Sequence, residues 1–267
     1  MRCAVLGSPI AHSLSPVMHR AAYAEFGLDW SFEAVEVGAG GLPTFLSALG
    51  DDVRGFAVTA PLKHDAARAA HHRSEVVELL GVANTMLVDD ERFTADNTDV
   101  PGTVNALAEA GVASVRAARI LGGGATAASI AYALSTVGLE RLELVVRDRD
   151  RDVDTAVVAG GLGLDVTIVT LADAPATAVD LLVSTIPVEA VRDRAAAWVD
   201  DVPAVFDVVY DPWPTPLADA AGQAGAAVVS GLDLLAHQAA LQVALMTGQA
   251  VEAGRLRDAA LAHLDRR

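Results

Sequence analysis

The chain has 267 residues, of which 52% are hydrophobic, and its 19 basic and 35 acidic side chains give a formal net charge of −16. This composition is typical of a folded globular protein and excludes an intrinsically disordered chain. An acidic surface repels phosphate backbones, so we expect no nucleic-acid partner. The length fits one large domain or two ordinary ones, and we expect two.

The cysteine content and the apolar stretches bear on location. Cys3 is the single cysteine, which excludes an internal disulfide and an all-cysteine metal cluster and favours a reducing, cytoplasmic setting without a metal site. The first residues lack the apolar run of a signal peptide, so we expect no export. Residues 120–139 and 234–251 contain no Asp, Glu, Lys or Arg, but a glycine run in the first and several amides in the second argue against membrane spans.

Short runs of Val, Ile and Leu alternate with amphipathic stretches along the chain, which predicts βαβ units, an α/β fold and a mostly parallel sheet. The predicted strands are Arg2 to Leu6, Ser31 to Val37, Arg54 to Val58, Ala83 to Val88, Ala118 to Leu121, Glu143 to Val146, Asp165 to Val169, Leu181 to Ser184, Ala204 to Asp207 and Ala226 to Val229. The main predicted helices are Pro16 to Phe26, Val100 to Ala110, Thr126 to Val137, Pro216 to Ala224 and Leu232 to Met246.

A change of character around residues 99–111, where a helix leads into a new strand and a glycine-rich turn, predicts the domain boundary. We expect one domain at 1–101 and a second at 102–232. Because chain termini often lie close together, residues 233–267 are predicted to return to the first domain.

The glycine-rich turn has the G-x-G-x-x-A spacing of a dinucleotide site between a predicted strand and a predicted helix. Such a turn lets a pyrophosphate approach the helix N-terminus, where unpaired N–H groups favour an anion. Glycine turns also occur for packing alone, but this context favours a dinucleotide. The predicted cofactor-binding residues are Gly122, Gly123, Gly124, Ala125, Thr126 and Ala127.

The next strand ends at Arg147, where a dinucleotide fold meets the adenosine ribose. An acidic residue there would hold a free 2′-hydroxyl, whereas Arg accommodates the 2′-phosphate of NADP. Arg147 and Arg151 are therefore candidate phosphate ligands, and Asp148 argues against them. We interpret Arg149 and Asp150 as a solvated charge run.

Lys63 is the chain's only lysine among 19 basic residues. A lysine can give and take a proton where an arginine cannot, although a lone surface lysine carries no meaning by itself. Thr59 and Lys63 follow a buried strand, in the region where open α/β sheets bind ligands. Ser15, followed by proline, is predicted to cap a helix, and together with Ser13 it also suits a carboxylate.

Asn84 opens a predicted strand, and Asn97 and Asp99 lie in a turn before a helix. Alone, Asp99 would be an N-cap. Together with the lysine, the hydroxyls and the dinucleotide turn, these groups suit a polyhydroxylated acid held beside a nicotinamide. His19 lacks an acidic partner, and we interpret it as structural.

Seven blocks then identify a resemblance: GSPIAHSLSP, VTAPLK, GVANTM, DNTDVPG, GGGATA, YDPWPTPL and GLDLLAHQ. Their order and spacing resemble those of shikimate dehydrogenases, most closely the actinobacterial type. The resemblance implies an N-terminal α/β substrate domain, a Rossmann-type NADP-binding domain and C-terminal helices that return to the substrate domain. It implies reversible, NADPH-dependent reduction of 3-dehydroshikimate to shikimate by a monomer or homodimer.

The resemblance also implies residue roles. Lys63 matches the family's proton donor and acceptor, and Asp99 matches its partner. The substrate-binding positions are Ser13, Ser15, Thr59, Asn84, Tyr210 and Gln238, and Gly231 matches nicotinamide-facing backbone. Val146-Arg147-Asp148 stands where the family usually has Asn-Arg-Thr at the ribose. Two alternatives remain: a quinate or aminoshikimate dehydrogenase of the same fold, and a nicotinamide-binding regulator without turnover.

Overall fold

The computed structural model describes residues 1–89, 92–149, 153–173 and 178–266. By its internal contacts the chain divides into a first unit, Met1–Thr98 with Leu235–Arg267, and a second unit, Asp99–Leu234. The domain boundaries expected from the sequence, after residues 101 and 232, stay a prediction.

The first unit contains a mixed sheet. Its strands are β1 (Arg2–Gly7), β2 (Ser31–Glu36), β3 (Val53–Val58), β4 (His72–Arg73), β5 (Thr85–Asp89) and β6 (Arg92–Asp96). They pair in the order β2-β1-β3-β5-β6-β4, and β5 runs antiparallel to both β3 and β6. The other neighbours are parallel. The prediction of a mostly parallel sheet is therefore wrong for the β3–β5–β6 part of this unit.

The second unit contains a fully parallel sheet. Its strands are β7 (Ala117–Leu121), β8 (Arg141–Val146), β9 (Asp165–Thr170), β10 (Leu181–Ser184), β11 (Ala204–Asp207) and β12 (Ala227–Ser230). The order β12-β11-β10-β7-β8-β9 is the doubly wound order of a Rossmann fold, in which the strand sequence reverses direction between β7 and β10. The α/β prediction and its Rossmann-type second part are confirmed.

Helices connect the strands. Along the chain they are α1 (Ser15–Glu25), α2 (Leu42–Ser47), α3 (Lys63–Ala69), α4 (Glu75–Leu80), α5 (Asp99–Glu109), α6 (Ala125–Thr136), α7 (Val153–Gly161), α8 (Ala195–Trp198), α9 (Pro216–Gln223), α10 (Gly231–Thr247) and α11 (Ala253–Leu264). Within the described ranges, none has the length and apolar character needed to cross a bilayer.

Both faces of the second sheet are buried. Ile120 and Leu144 point into one apolar cluster, and their neighbours Leu121 and Val145 point into the other. A strand buried on both sides is largely apolar. The charged side chains buried within β7 and β8, Arg119 and Glu143, form an ion pair with each other. In the first unit, the cluster that includes Leu6 and Phe56 fills one side of the sheet.

Candidate active site

The topology of the first sheet brings four predicted segments to one edge. β1, β3 and β6 end there, so residues that follow them lie at that edge; β5 runs the other way and begins there. Main-chain bonds join these ends: Thr59 N donates to Leu6 O at 2.9 Å, Val58 N to Asn84 O at 2.7 Å, and Asn84 N to Asp96 O at 3.2 Å. The edge therefore gathers residues that lie far apart in the sequence.

Asn84 is the centre of a buried amide network. Its Nδ2 donates to Gln238 Oε1 at 2.7 Å and to Thr98 Oγ1 at 3.0 Å. Its Oδ1 accepts from Thr98 N at 2.8 Å and from Thr85 Oγ1 at 2.9 Å. Asn84, Thr85 and Thr98 are at most 3% exposed. The structure thus joins two predicted substrate-binding residues, Asn84 and Gln238, by a direct hydrogen bond.

Lys63 is the first residue of α3 and is only 9% exposed. Its carbonyl accepts from Ala83 N at 2.9 Å, and the next side chain, His64, donates through Nδ1 to Gly81 O at 2.9 Å. These two bonds fasten the start of α3 to the segment that leads to Asn84. The lysine and the amide network are therefore held by the same piece of backbone.

Thr59 follows β3 directly and is held by the approach of β1. A Cβ placed on Gly7 would lie 2.4 Å from Thr59 Cγ2 and 2.8 Å from Ala60 O. A side chain at position 7 would therefore displace Thr59. This close packing explains why the GSPI block begins with a glycine.

Ser13 and Ser15 lie together at the start of α1, where Ser15 N donates to Ser13 Oγ at 3.3 Å. The prediction that Ser15 caps the helix is wrong: Leu14 is the N-cap, and Ser15 is already helical. The Ser15 hydroxyl is therefore not committed to capping, although the residue is only 3% exposed. Pro16 does lie in the first turn, as expected.

His19 supports this end of α1 from the apolar side. Its Nδ1 donates to Ser15 O at 2.9 Å, and its ring stacks on Phe32 with centroids 3.9 Å apart. The ring is fully buried, and burial lowers the pKa of His19 to about 4. The imidazole is therefore neutral at physiological pH, and the structural interpretation of His19 is confirmed.

Asp99 is the first residue of α5 and only 4% exposed. It is helical itself, so the alternative that it merely caps the helix is wrong. Asn97, in the same block, donates through Nδ2 to Val82 O at 3.1 Å and is 2% exposed. Asn97 therefore holds the backbone of the segment before Asn84.

The glycine-rich turn of the second unit follows β7 and leads into α6. Gly122 has φ +106°, and a Cβ there would lie 2.4 Å from Thr185 Oγ1, so only glycine fits. Gly124 is the N-cap of α6 and has no side chain to offer the helix N-terminus. A Cβ built on Gly124 would meet nothing within 4 Å. The turn therefore leaves open space at a helix N-terminus, which fits a pyrophosphate.

The other residues of the turn have structural roles. Ala127 is fully buried among the core residues of the second unit. Gly123 O accepts from the Thr155 hydroxyl, which ties the turn to α7. Ala125 and Thr126 form the first turn of α6.

Arg147 follows β8, the strand beside β7, and Gly122 N donates to Val145 O at 2.8 Å. Both Arg147 and Asp148 are exposed. The arginine thus follows the strand end next to the glycine-rich turn, where a ribose 2′-phosphate would lie in this fold. Arg151, the second predicted phosphate ligand, lies outside the described residues.

Tyr210 lies in the segment between β11 and α9, and a side-chain hydrogen bond joins the two ends of this segment. Thr215 Oγ1 donates to Asp207 Oδ2 at 2.6 Å, and burial raises the pKa of this carboxyl group. A Cβ on Gly231 would lie 1.9 Å from Val208 O. The close approach of Val208 therefore explains why position 231 is a glycine, independently of the role predicted for it in cofactor binding.

Three members of the amide network were missed by the sequence analysis: Thr85, Thr98 and Gln242. Thr85 and Thr98 directly follow the two predicted asparagines Asn84 and Asn97, and that adjacency was the available signal. Gln242 lies one helical turn after Gln238, which places both on one helix face. In the part of the chain that the structure describes, no three His, Cys, Asp or Glu side chains form a metal-binding group.

Comparison with known proteins assigns the family. A family model described as the shikimate dehydrogenase substrate binding domain matches residues 5–86. The NADP(+) shikimate dehydrogenase of Moorella thermoacetica is 35% identical over 92% of this chain and 88% of its own length. A crystal structure of Mycobacterium tuberculosis shikimate dehydrogenase superposes with a TM-score of 0.88 at 37% identity, covering 98% of this chain and 99% of the other.

A third relative is known with its ligands. The shikimate 5-dehydrogenase of Thermus thermophilus, solved in complex with NADP(H) and shikimate, has a TM-score of 0.83 and 32% identity, covering 98% of this chain and 99% of the other. These relatives match along nearly the whole chain. The α/β first unit, the Rossmann sheet of the second unit and the hydrogen-bonded Asn84–Gln238 pair agree with that match. The chain belongs to the shikimate dehydrogenase family.

Proposed function

We propose that this protein is an NADP-dependent shikimate dehydrogenase that reversibly reduces 3-dehydroshikimate to shikimate. The observation that carries the proposal is the convergence of Lys63, Thr59 and the Asn84–Gln238 pair at one edge of the first sheet, in a chain whose relatives match along nearly its whole length. This arrangement offers one proton-exchanging amine beside several groups that recognise hydroxyls.

Substrate recognition follows from the donors and acceptors of the first unit. Gln238 Oε1 already accepts from Asn84, so the Gln238 Nε2 group is the one that can donate to a ring hydroxyl. We assign further ring contacts to Asn84 and Thr59. The hydroxyls of Ser13 and Ser15, at the N-terminus of an eleven-residue helix, would hold the carboxylate, with Tyr210 assigned to the same group.

The reaction needs a hydride for the carbonyl carbon and a proton for the oxygen. NADPH supplies the hydride when bound. As the carbon accepts the hydride, the carbonyl π electrons move to oxygen, and the Lys63 ammonium donates a proton from Nζ to the resulting alkoxide. In the oxidation direction the neutral amine takes that proton back, and Asp99 is assigned to orient Lys63. A positioned proton donor contributes about 10² to 10⁴-fold to such a rate.

NADP would be held by the second unit. The Gly122–Ala127 turn would receive the pyrophosphate, Arg147 the 2′-phosphate and the Gly231 backbone the nicotinamide. The positive φ of Gly122 and the space at Gly124 support the first of these assignments. Arg151 is kept as a second phosphate ligand on the basis of the sequence alone.

We also infer that the enzyme is cytoplasmic, and acts as a monomer or homodimer on small molecules alone. The lone, buried Cys3 and the net charge of −16 support this. Sedimentation of the purified protein would give its oligomeric state.

The test is the oxidation of shikimate by the purified protein with NADP⁺, followed by the absorbance of reduced nicotinamide. Parallel reactions replace shikimate by quinate or an aminoshikimate, and NADP⁺ by NAD⁺. We expect the highest kcat/KM for shikimate with NADP⁺. A higher value for quinate would assign the alternative substrate, and absence of turnover with every pair would favour the non-catalytic regulator.

A further inference from the structure

Helix α10 carries two buried glutamines, Gln238 and Gln242, one helical turn apart. Gln238 is assigned to the substrate, whereas Gln242 has no assigned role. We infer that Gln242 is a positioning residue that sets the orientation of the substrate-binding amide of Asn84. This inference rests on the proposed function, because it gives Gln242 a role only through Asn84 and Gln238.

Gln242 contacts Asn84 by two routes. Its Nε2 donates to the backbone oxygen of Asn84 at 3.0 Å and to Thr85 Oγ1 at 3.1 Å. The Thr85 hydroxyl in turn donates to Asn84 Oδ1 at 2.9 Å. A single side-chain amide thus fixes the main chain of Asn84 directly and its side chain through one hydroxyl.

The acceptors of Asn84 do not depend on Gln242. Asn84 O, which accepts from Gln242, also accepts from Val58 N at 2.7 Å, and Asn84 Oδ1 accepts from Thr98 N at 2.8 Å. The second acceptor of the Gln242 amide, Thr85 Oγ1, also lies 3.4 Å from Thr98 Oγ1. Removing the Gln242 amide would therefore leave no buried acceptor of Asn84 without a donor.

The other end of the same amide is a cost to the fold. Gln242 is 1% exposed, and its Oε1 has no hydrogen-bond partner among the described residues. A buried amide oxygen without a donor is destabilising, so an apolar side chain of equal length would serve stability at least as well. The reverse orientation of the amide would place an oxygen against Asn84 O, so the observed one is the only favourable choice.

A functional reason remains. Gln238 and Gln242 project from one face of one helix and both contact Asn84, at its Nδ2 and at its backbone oxygen respectively. The helix thereby fixes Asn84 relative to Gln238 at two points. Because two amides recognise adjacent hydroxyls only when their spacing is fixed, loosening Asn84 weakens ground-state and transition-state binding alike.

The test compares Gln242→Met, which keeps the length and removes the polar atoms, with the control Gln249→Met, at an exposed glutamine beyond the end of α10. We expect Gln242→Met to raise the KM for shikimate about tenfold, the loss of one oriented hydrogen bond. Its kcat and its KM for NADP⁺ should stay within about twofold, and its Tm should be unchanged or higher. Gln249→Met should match the wild type in every measurement.

A second variant tests the route through the hydroxyl. Thr85→Val should raise the KM for shikimate by a smaller factor, and the double variant should resemble Gln242→Met alone, because both changes act through Asn84. An unchanged KM in a folded Gln242→Met protein, or a fall in Tm without a change in KM, would overturn the inference while leaving the proposed function intact. A wild-type protein that does not oxidise shikimate would overturn the proposed function, and the inference with it.

Discussion

The two units build their predicted binding sites from different materials. In the second unit the site is backbone: a strand, a turn with Gly122 at φ +106° and the N-terminus of α6, all within a few consecutive residues. In the first unit the site is a set of buried side chains, in which Asn84 contacts Gln238, a residue 154 positions away. A backbone site depends on local geometry, and a side-chain network depends on the whole sheet and on α10.

This difference implies that chemistry and substrate affinity depend on individual side chains of the first unit. The largest expected effect is that of Lys63→Ala, which should lower kcat by about 10² to 10⁴-fold and leave the KM for shikimate within a few-fold, because the proton is needed in the transition state. Lys63→Arg should fail similarly, since it keeps the charge without exchanging the proton. Steady-state rates with varied shikimate measure this, and near-normal turnover by either variant would remove Lys63 from the mechanism.

The first unit should also be the more acid-sensitive part of the site, because α1 is supported by a buried neutral imidazole. The pKa of His19 is lowered from 6.5 to about 4, so its contribution to stability is present above pH 6.5 and is lost as the pH falls through 4. Complete loss corresponds to about 3 kcal/mol of unfolding free energy.

His19→Asn keeps a donor for Ser15 O and removes the titration. Between pH 6.5 and 4 its unfolding free energy in urea should therefore fall by about 3 kcal/mol less than that of the wild type. His12→Asn, at an exposed histidine, is the matched control and should follow the wild-type curve. Parallel curves for His19→Asn and wild type would show that His19 does not control the acid sensitivity.

A pair of glycines separates folding from binding in the second unit. Gly122→Ala should destabilise the protein by about 1–3 kcal/mol, because the backbone there is left-handed and the new Cβ would meet Thr185. Gly124→Ala has no such conflict and should lower the Tm less, by the modest cost of alanine at an N-cap, but its Cβ would occupy the space assigned to the pyrophosphate and raise the KM for NADP⁺. Thermal melts and NADP⁺ titrations measure the two effects, and an equal loss of Tm in both variants would contradict this separation.

The smallest expected effects are those of charges at the ribose. Arg147→Ala should raise the KM for NADP⁺ about tenfold and change that for NAD⁺ little, because the lost charge-assisted bond is to the 2′-phosphate. Asp148→Asn should lower the KM for NADP⁺ a few-fold by removing a screened repulsion. Equal losses with both cofactors in Arg147→Ala would mean that the arginine does not discriminate between them.

The same difference between the units decides how much the sequence predicts. The glycine-rich turn is contiguous, so its spacing predicts the β7–α6 junction. The alternation of elements predicts a parallel α/β sheet, and the family resemblance implies its Rossmann type. In the first unit, β6 was not predicted, because Arg92–Asp96 has little apolar alternation and gains its stability from pairing with β5. Without β6, nothing placed Thr98 beside Asn84.

Gln242 shows most clearly which part of the site the sequence does not predict. Its sequence context is an apolar helix, in which a polar residue only argues against a membrane span. Its partners lie 157 and 158 residues away, and they become visible only when α10 is packed against the start of β5. The prediction that Ser15 caps α1 is wrong for a local reason, because the helix begins one residue earlier than the Ser15-Pro16 pair predicts.

The central claim is that the substrate is held by the side-chain network of the first unit and the cofactor by the backbone turn of the second. The direct test is calorimetric titration of shikimate and of NADP⁺, each alone, into the wild type, Gln238→Met and Gly124→Ala. We predict that Gln238→Met raises the Kd of shikimate about tenfold and leaves that of NADP⁺ unchanged, and that Gly124→Ala does the reverse. Comparable losses for both ligands in either variant would contradict the claim.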